Sequence, residues 1–73
     1  MMVKRHPVDS STLRSVGYDP DRRILVLEYE SGAVYHYFDV PENIFEELMN
    51  EDSKGRFVNY RIKPYYRYRE IKE

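Results

Sequence analysis

Five residues near the end of the chain, "YYRYR" (65–69), set two guanidinium groups among three phenol rings. Planar cations and aromatic faces packed this closely suit one kind of chemistry, in which arginines neutralise phosphates while unpaired bases stack on the rings. Further basic side chains upstream extend the candidate surface, which comprises Arg56, Arg61, Lys63, Tyr65, Arg67 and Arg69. The same letters also read as the last strand of a small sheet, with Tyr66 and Tyr68 on one face and Tyr65, Arg67, Arg69 and Ile71 on the other. The cations would then guard a strand edge against aggregation, or pair with Glu28, Glu30 and the acidic stretch at residues 42–52.

Catalysis and metal binding find less support. Ser10, Ser11 and Ser53 invite a search for a nucleophile, but a serine needs a base and an orienting group within reach. The two histidines are His6, in the opening segment, and His36, in mid-strand, and nothing in the sequence makes them converge on a serine. Turn or strand-edge hydrogen bonds for Ser10 and Ser11, a helix cap for Ser53 and a backbone bond for Asn59 are the expected roles. Two isolated histidines without cysteine or paired carboxylate spacing do not make a zinc or calcium site. Gly17, Gly32 and Gly55 lack the spacing of a phosphate-cradling loop. The expectation is a non-enzyme with no catalytic residue, metal or cofactor.

These residues must be positioned by a chain of 73, which allows one domain with a stability of only about 3–5 kcal/mol. There is no cysteine, so the core must hold the fold unaided, and a cytoplasmic location is the default expectation. Eight tyrosines and three phenylalanines answer part of that need, since each buries a large area at modest rotamer cost. No stretch approaches the roughly 18 apolar residues of a membrane span, and "MMVKRHPVDS" lacks the apolar core of a signal peptide. The net charge of −1 hides an uneven distribution: residues 42–52 carry five acidic and no basic groups, residues 53–73 seven basic and two acidic. Such asymmetry marks a face for polyanions, or an acidic helix lying beside a basic strand.

Along the chain, the opening residues through about Pro7 have no apolar period and are expected to fray. "LRSVGYD" (13–19) alternates as a strand into the turn "DPDRR", where Pro20 presets φ and the aspartates can bond nearby backbone. "ILVLEYE" (24–30) and "AVYHYFD" (33–39) are the next strands. A three-residue loop between them, with Gly32 left-handed, pairs Tyr29 with Ala33 and gathers Leu25, Leu27, Tyr29, Tyr35 and Tyr37 on one apolar face. The opposite face, with Val34, His36 and Phe38, is more mixed. "VPENIFEELMNED" reads as a helix with Pro41 at its first position and Ile44, Phe45, Leu48 and Met49 as its buried stripe. Ser53 starts a second short helix, "KGRFVNYRI", in which Phe57, Val58, Arg61 and Ile62 share a side, and Pro64 stops it. Gly55 weakens that helix by roughly 1 kcal/mol relative to alanine if the position is interior.

In this order the residues resemble the KTSC domain. The likeness runs from Ser10 to about Tyr68. It is carried by the Ser10 and Ser11 pair, Gly32, the YxY of Tyr35 and Tyr37, Val40 with Pro41, and Ser53-x-Gly55-x-Phe57-x-Asn59 with Ile62 following. The small residue that the family has before Ser53 is here either replaced by Asp52 or displaced. The family takes its name from the C-terminus of some lysyl-tRNA synthetases and also occurs as free-standing bacterial proteins, a company that implies association with RNA, tRNA in particular.

The expected fold is therefore α+β: a small antiparallel β-meander packed against one amphipathic helix, with a second short helix and a C-terminal strand. Residues 1–9 are expected to be a flexible N-terminus and 10–73 a single domain. The expected function is a non-catalytic binding module for RNA, using the basic aromatic C-terminal segment. The alternative is a protein-interaction or self-association module using an exposed sheet face or an edge strand. Tyr35 and Tyr37 could stack on bases, but their alternation is first of all a burial signal.

Overall fold

The computed structural model describes residues 3–72. Five antiparallel strands, β1 (Arg5–Pro7), β2 (Leu13–Asp19), β3 (Ile24–Tyr29), β4 (Val34–Tyr37) and β5 (Tyr68–Ile71), form one sheet in the order of the chain. Helix α1 (Glu42–Asn50), helix α2 (Lys54–Phe57) and a π-helical turn (Val58–Ile62) lie between β4 and β5. The architecture is the expected α+β meander with its helices. The chain needs only short connections because each strand pairs with its sequence neighbour until the helices intervene.

Local chemistry sets the turns. Asp19 Oδ1 accepts hydrogen bonds from the backbone N–H of Asp21 (3.0 Å) and Arg22 (3.3 Å), closing the turn between β2 and β3. Gly32 has φ +95°, and Tyr29 and Ala33 are joined by a Tyr29 N–H to Ala33 O bond of 2.8 Å. The three-residue loop thus puts Leu25 opposite Tyr37 and Leu27 opposite Tyr35, the register expected from the sequence. In β2 the register shifts between Leu13 and Ser15, a bulge at Arg14 that lets Leu13 face the core together with Val16 and Tyr18.

One face of the sheet carries the core. Leu13, Val16, Leu25, Leu27 and Tyr37 meet Ile44 and Leu48 of α1 and Phe57, Val58 and Ile62 of the second helical segment, while Phe45 and Met49 pack at its margin. Tyr18 stacks on Phe45 with ring centroids 5.1 Å apart and donates its hydroxyl to the Val40 carbonyl. Pro41 sits at the N-cap of α1, one position earlier than expected, with extended backbone. Beyond Phe57 the helix widens, and Lys63 N–H bonds Val58 O at 2.8 Å. That extra residue per turn lets Phe57, Val58 and Ile62 all reach the core.

Three expectations need correction. Residues 5–7 do not fray but pair with residues 15–17 as β1, because backbone pairing at a sheet edge needs no apolar period. Val34 is not part of an open face: it is buried between β3 and β5 on the side of the sheet away from the helices. The last strand starts at Tyr68, so Tyr65 lies in the turn before it rather than on a strand face with Arg69, while Arg67 immediately precedes the strand and its carbonyl accepts from Phe38 N–H at 2.9 Å. Among the described residues, no helix is long and apolar enough to cross a membrane, and no cluster of histidines and carboxylates could hold a metal ion.

Candidate nucleic-acid interface

Pro64 ends the second helical segment, and the chain turns through residues 63–67 before β5 pairs with β4. This turn carries the tyrosine and arginine run out to solvent. A shallow groove of about 560 Å³ is lined by Phe38, Pro64, Tyr65, Tyr66, Arg67, Tyr68 and Arg69. Tyr65 is 71% exposed and Tyr68 58% exposed. Tyr68 nevertheless rests on the fold, its ring stacked on Tyr35 (5.6 Å between centroids) and tilted against Tyr37 (5.5 Å). It faces the side expected for it, but β5 is the outermost strand, so half of the ring is left uncovered. Tyr66 is half-buried against the core.

Tyr35 and Tyr37 therefore act as supports. Tyr37 is buried and Tyr35 half-buried, with Tyr29 edge-on to Tyr35 at 5.4 Å. Burial pushes the Tyr37 hydroxyl far above the ordinary tyrosine range, and the neighbouring tyrosines add to the shift. Burial also pushes Tyr29 up.

The six basic and aromatic residues singled out in the sequence do not form one surface. Tyr65, Arg67 and Arg69 share the groove beside β5. Arg67 pairs with Asp39 at 3.2 Å, both side chains being more than three-quarters exposed, and lies 5.8 Å from the centre of the Phe38 ring. Arg69 has no side-chain partner among the described residues. Arg61 contacts Glu47 of α1 at 3.3 Å and lies over Phe57, while Lys63 sits over the Tyr29 ring. Arg56 lies elsewhere, in a groove beside α2.

Of the alternative pairings considered for the basic tail, the one with the acidic helix occurs at Arg61 and Glu47, whereas none with Glu28 or Glu30 is present among the described residues. Those carboxylates are taken by Arg14, at 3.6 and 3.7 Å, and Glu28 also accepts a 2.7 Å bond from the Ser15 hydroxyl. The pairs that the tail does make are single, exposed contacts, worth about 0–1 kcal/mol each. A phosphate could displace them at little cost.

The groove beside α2, of about 620 Å³, was not anticipated from the sequence. It is lined by Asp9, Ser10, Ser11 and Thr12 on one side and by Asp52, Ser53, Lys54, Gly55, Arg56, Asn59 and Tyr60 on the other. Ser10 Oγ accepts from the N–H of Thr12 (3.1 Å) and of Leu13 (3.2 Å), the turn role expected of it. Ser53 occupies the N-cap of α2 but its side chain makes no capping bond. No histidine lines this groove, so no serine meets a histidine there.

Comparison with known proteins agrees with the motif residues. A family model described as the KTSC domain matches residues 9–68. A protein of Stutzerimonas stutzeri, described as uncharacterised, is 48% identical over 67 residues, covering 90% of this chain and 94% of its own. A protein of Tsukamurella paurometabola is 46% identical over 61 residues, or 84% and 91% of the two chains. The crystal structure of a KTSC domain protein from Yersinia pestis superposes with a TM-score of 0.91 at 42% identity, covering 97% of this chain and all of that one. A lysine–tRNA ligase of Nostoc is 36% identical over 63 residues, which is 86% of this chain but only 11% of the ligase. The chain belongs to the KTSC domain family.

Proposed function

We propose that this protein is a small RNA-binding module, with tRNA as its partner, acting in the cytoplasm and without catalysis. The observation that carries the reading is the exposed ring of Tyr65 set in one groove with Arg67 and Arg69. A base stacked on such a ring gains about 1–3 kcal/mol, and two guanidinium groups alongside can meet the flanking phosphates. Tyr68 offers a second ring, held flat against Tyr35 and so already ordered before a base arrives. The likeness to part of a lysine–tRNA ligase supports tRNA as the partner.

Binding should weaken steeply with salt. Replacing Arg67 and Arg69 by Ala should reduce the dependence of log K on log salt by about 0.7 per lost phosphate contact, or about 1.4 for the pair. Absence of binding to mixed tRNA at low salt would remove the proposal. The interaction-module reading has less to stand on, since Val34 is buried and the β5 edge carries Arg69, Glu70 and Lys72, charges that oppose strand addition.

A further inference from the structure

We propose that the groove between residues 10–12 and α2 is a separate binding site for a nucleoside monophosphate unit, free or as one residue of a single strand. The motif residues that the C-terminal surface leaves unexplained meet here from two distant parts of the chain, Ser10 and Ser11 from one and Ser53, Gly55 and Asn59 from the other. The apposition is close. A Cβ on Gly55 would lie 2.7 Å from Thr12 Oγ1, so a side chain there would force the two walls apart.

Several of the polar groups that line the groove have nothing of their own to hold. Ser11, Ser53 and Asn59 are exposed, and their side chains have no hydrogen-bond partner among the described residues. Its charge limits the occupant. Asp9 and Asp52 oppose Lys54 and Arg56, and Lys54 is already engaged by the carbonyls of Glu51 (2.8 Å) and Met49 (3.3 Å). Arg56 remains as the cation free of a partner among the described residues, enough for one phosphate and not for a polyphosphate.

The rest of the occupant must be neutral, rich in hydrogen-bonding groups and flat. Tyr60 lines the groove with its ring 70% exposed, a stacking platform for a base, and Asn59 beside it can donate and accept in one plane against a base edge. Ser11 and Ser53 can bond sugar hydroxyls. At about 620 Å³ the groove is of a size that holds such a molecule. None of Tyr65, Arg67 and Arg69 lines it, so the inference does not rest on the RNA reading above.

Titration of the full chain with adenosine 5′-monophosphate, followed by amide chemical shifts, tests it. Shifts should cluster at Gly55, Asn59 and Tyr60. Tyr60→Ala and Asn59→Leu should each weaken binding about tenfold, with melting temperatures confirming that both variants fold. Ribose 5-phosphate, which lacks the base, should bind weaker by a similar factor. The double variant Arg67→Ala, Arg69→Ala should leave this titration unchanged. A short single-stranded oligoadenylate that competes would assign the site to one residue of a strand, and one that does not would assign it to the free nucleotide. The proposal is overturned if no groove residue shifts at millimolar nucleotide, or if ribose 5-phosphate binds as well as the nucleotide.

Discussion

Alanine is a better helix former than glycine by about 1 kcal/mol, so Gly55→Ala in a bare helix would be expected to stabilise. Here the added Cβ would lie 2.7 Å from Thr12 Oγ1 and 3.1 Å from Thr12 Cβ. Turning Oγ1 away puts either Cγ2 or the Cβ hydrogen in its place, and the 3.1 Å approach to Thr12 Cβ stays whatever the rotamer. Overpacking of this kind costs about 1–3 kcal/mol, which outweighs the gain in propensity and leaves a net loss of about 1 kcal/mol. Urea unfolding should show it: with an m value of about 1 kcal/mol/M for so small a domain, the midpoint should fall by about 1 M. In a Thr12→Ala background, where Oγ1 and Cγ2 are gone, the same substitution should be close to neutral, giving a coupling of about 1 kcal/mol. A higher midpoint for Gly55→Ala alone, or an equal effect in both backgrounds, would refute the close contact and the groove built on it.

Leu48→Ala empties the centre of the α1 contact and should cost about 2–5 kcal/mol, comparable to the whole stability of the domain, so its circular dichroism should be largely that of an unfolded chain. Glu46→Ala on the exposed side of the same helix should stay within about 0.5 kcal/mol of the parent in the same melt. Gly32→Ala places a side chain at φ +95° and should lower the melting temperature by an amount equivalent to about 1 kcal/mol or more, in spite of the open space around it. Alkaline pH should unfold the protein. Burial raises the folded-state pKa of Tyr18, Tyr29 and Tyr37 above the ordinary value of 10.0, so above that pH the unfolded chain loses protons that the native one keeps. Their contribution is complete below pH 10 and is lost as pH rises beyond it. Melting curves should stay level in mildly alkaline buffer and fall above about pH 10, with tyrosinate absorbance from these residues rising together with unfolding.

Hairpin and helix were legible because their signals are local. Gly32 dictates a three-residue loop, the loop dictates the register, and the register assembles the apolar face that Ile44 and Leu48 cover. The first strand was not legible because its stabilisation is backbone pairing with residues 15–17, which writes no pattern into side chains. The C-terminal run was half legible. Alternation put Tyr66 and Tyr68 on one face, but it could not say that Tyr68 would stack on Tyr35 or that the strand begins only at Tyr68, leaving Tyr65 in a turn. The groove beside α2 was hidden because its two walls are about forty residues apart and meet only through the fold. One signal for it was present: Gly55, a helix-weakening residue within a helical pattern, which marks close approach by another segment.

Titration with mixed tRNA at several salt concentrations, for the parent chain and for the variant with Ala at Arg67 and Arg69, bears most directly on the proposed RNA-binding surface. A surface built on exposed rings and weakly held arginines predicts binding at low salt, a steep loss as salt rises, and a salt slope shallower by about 1.4 in the variant. Equal slopes for the two proteins, or no binding by the parent at low salt, would contradict it.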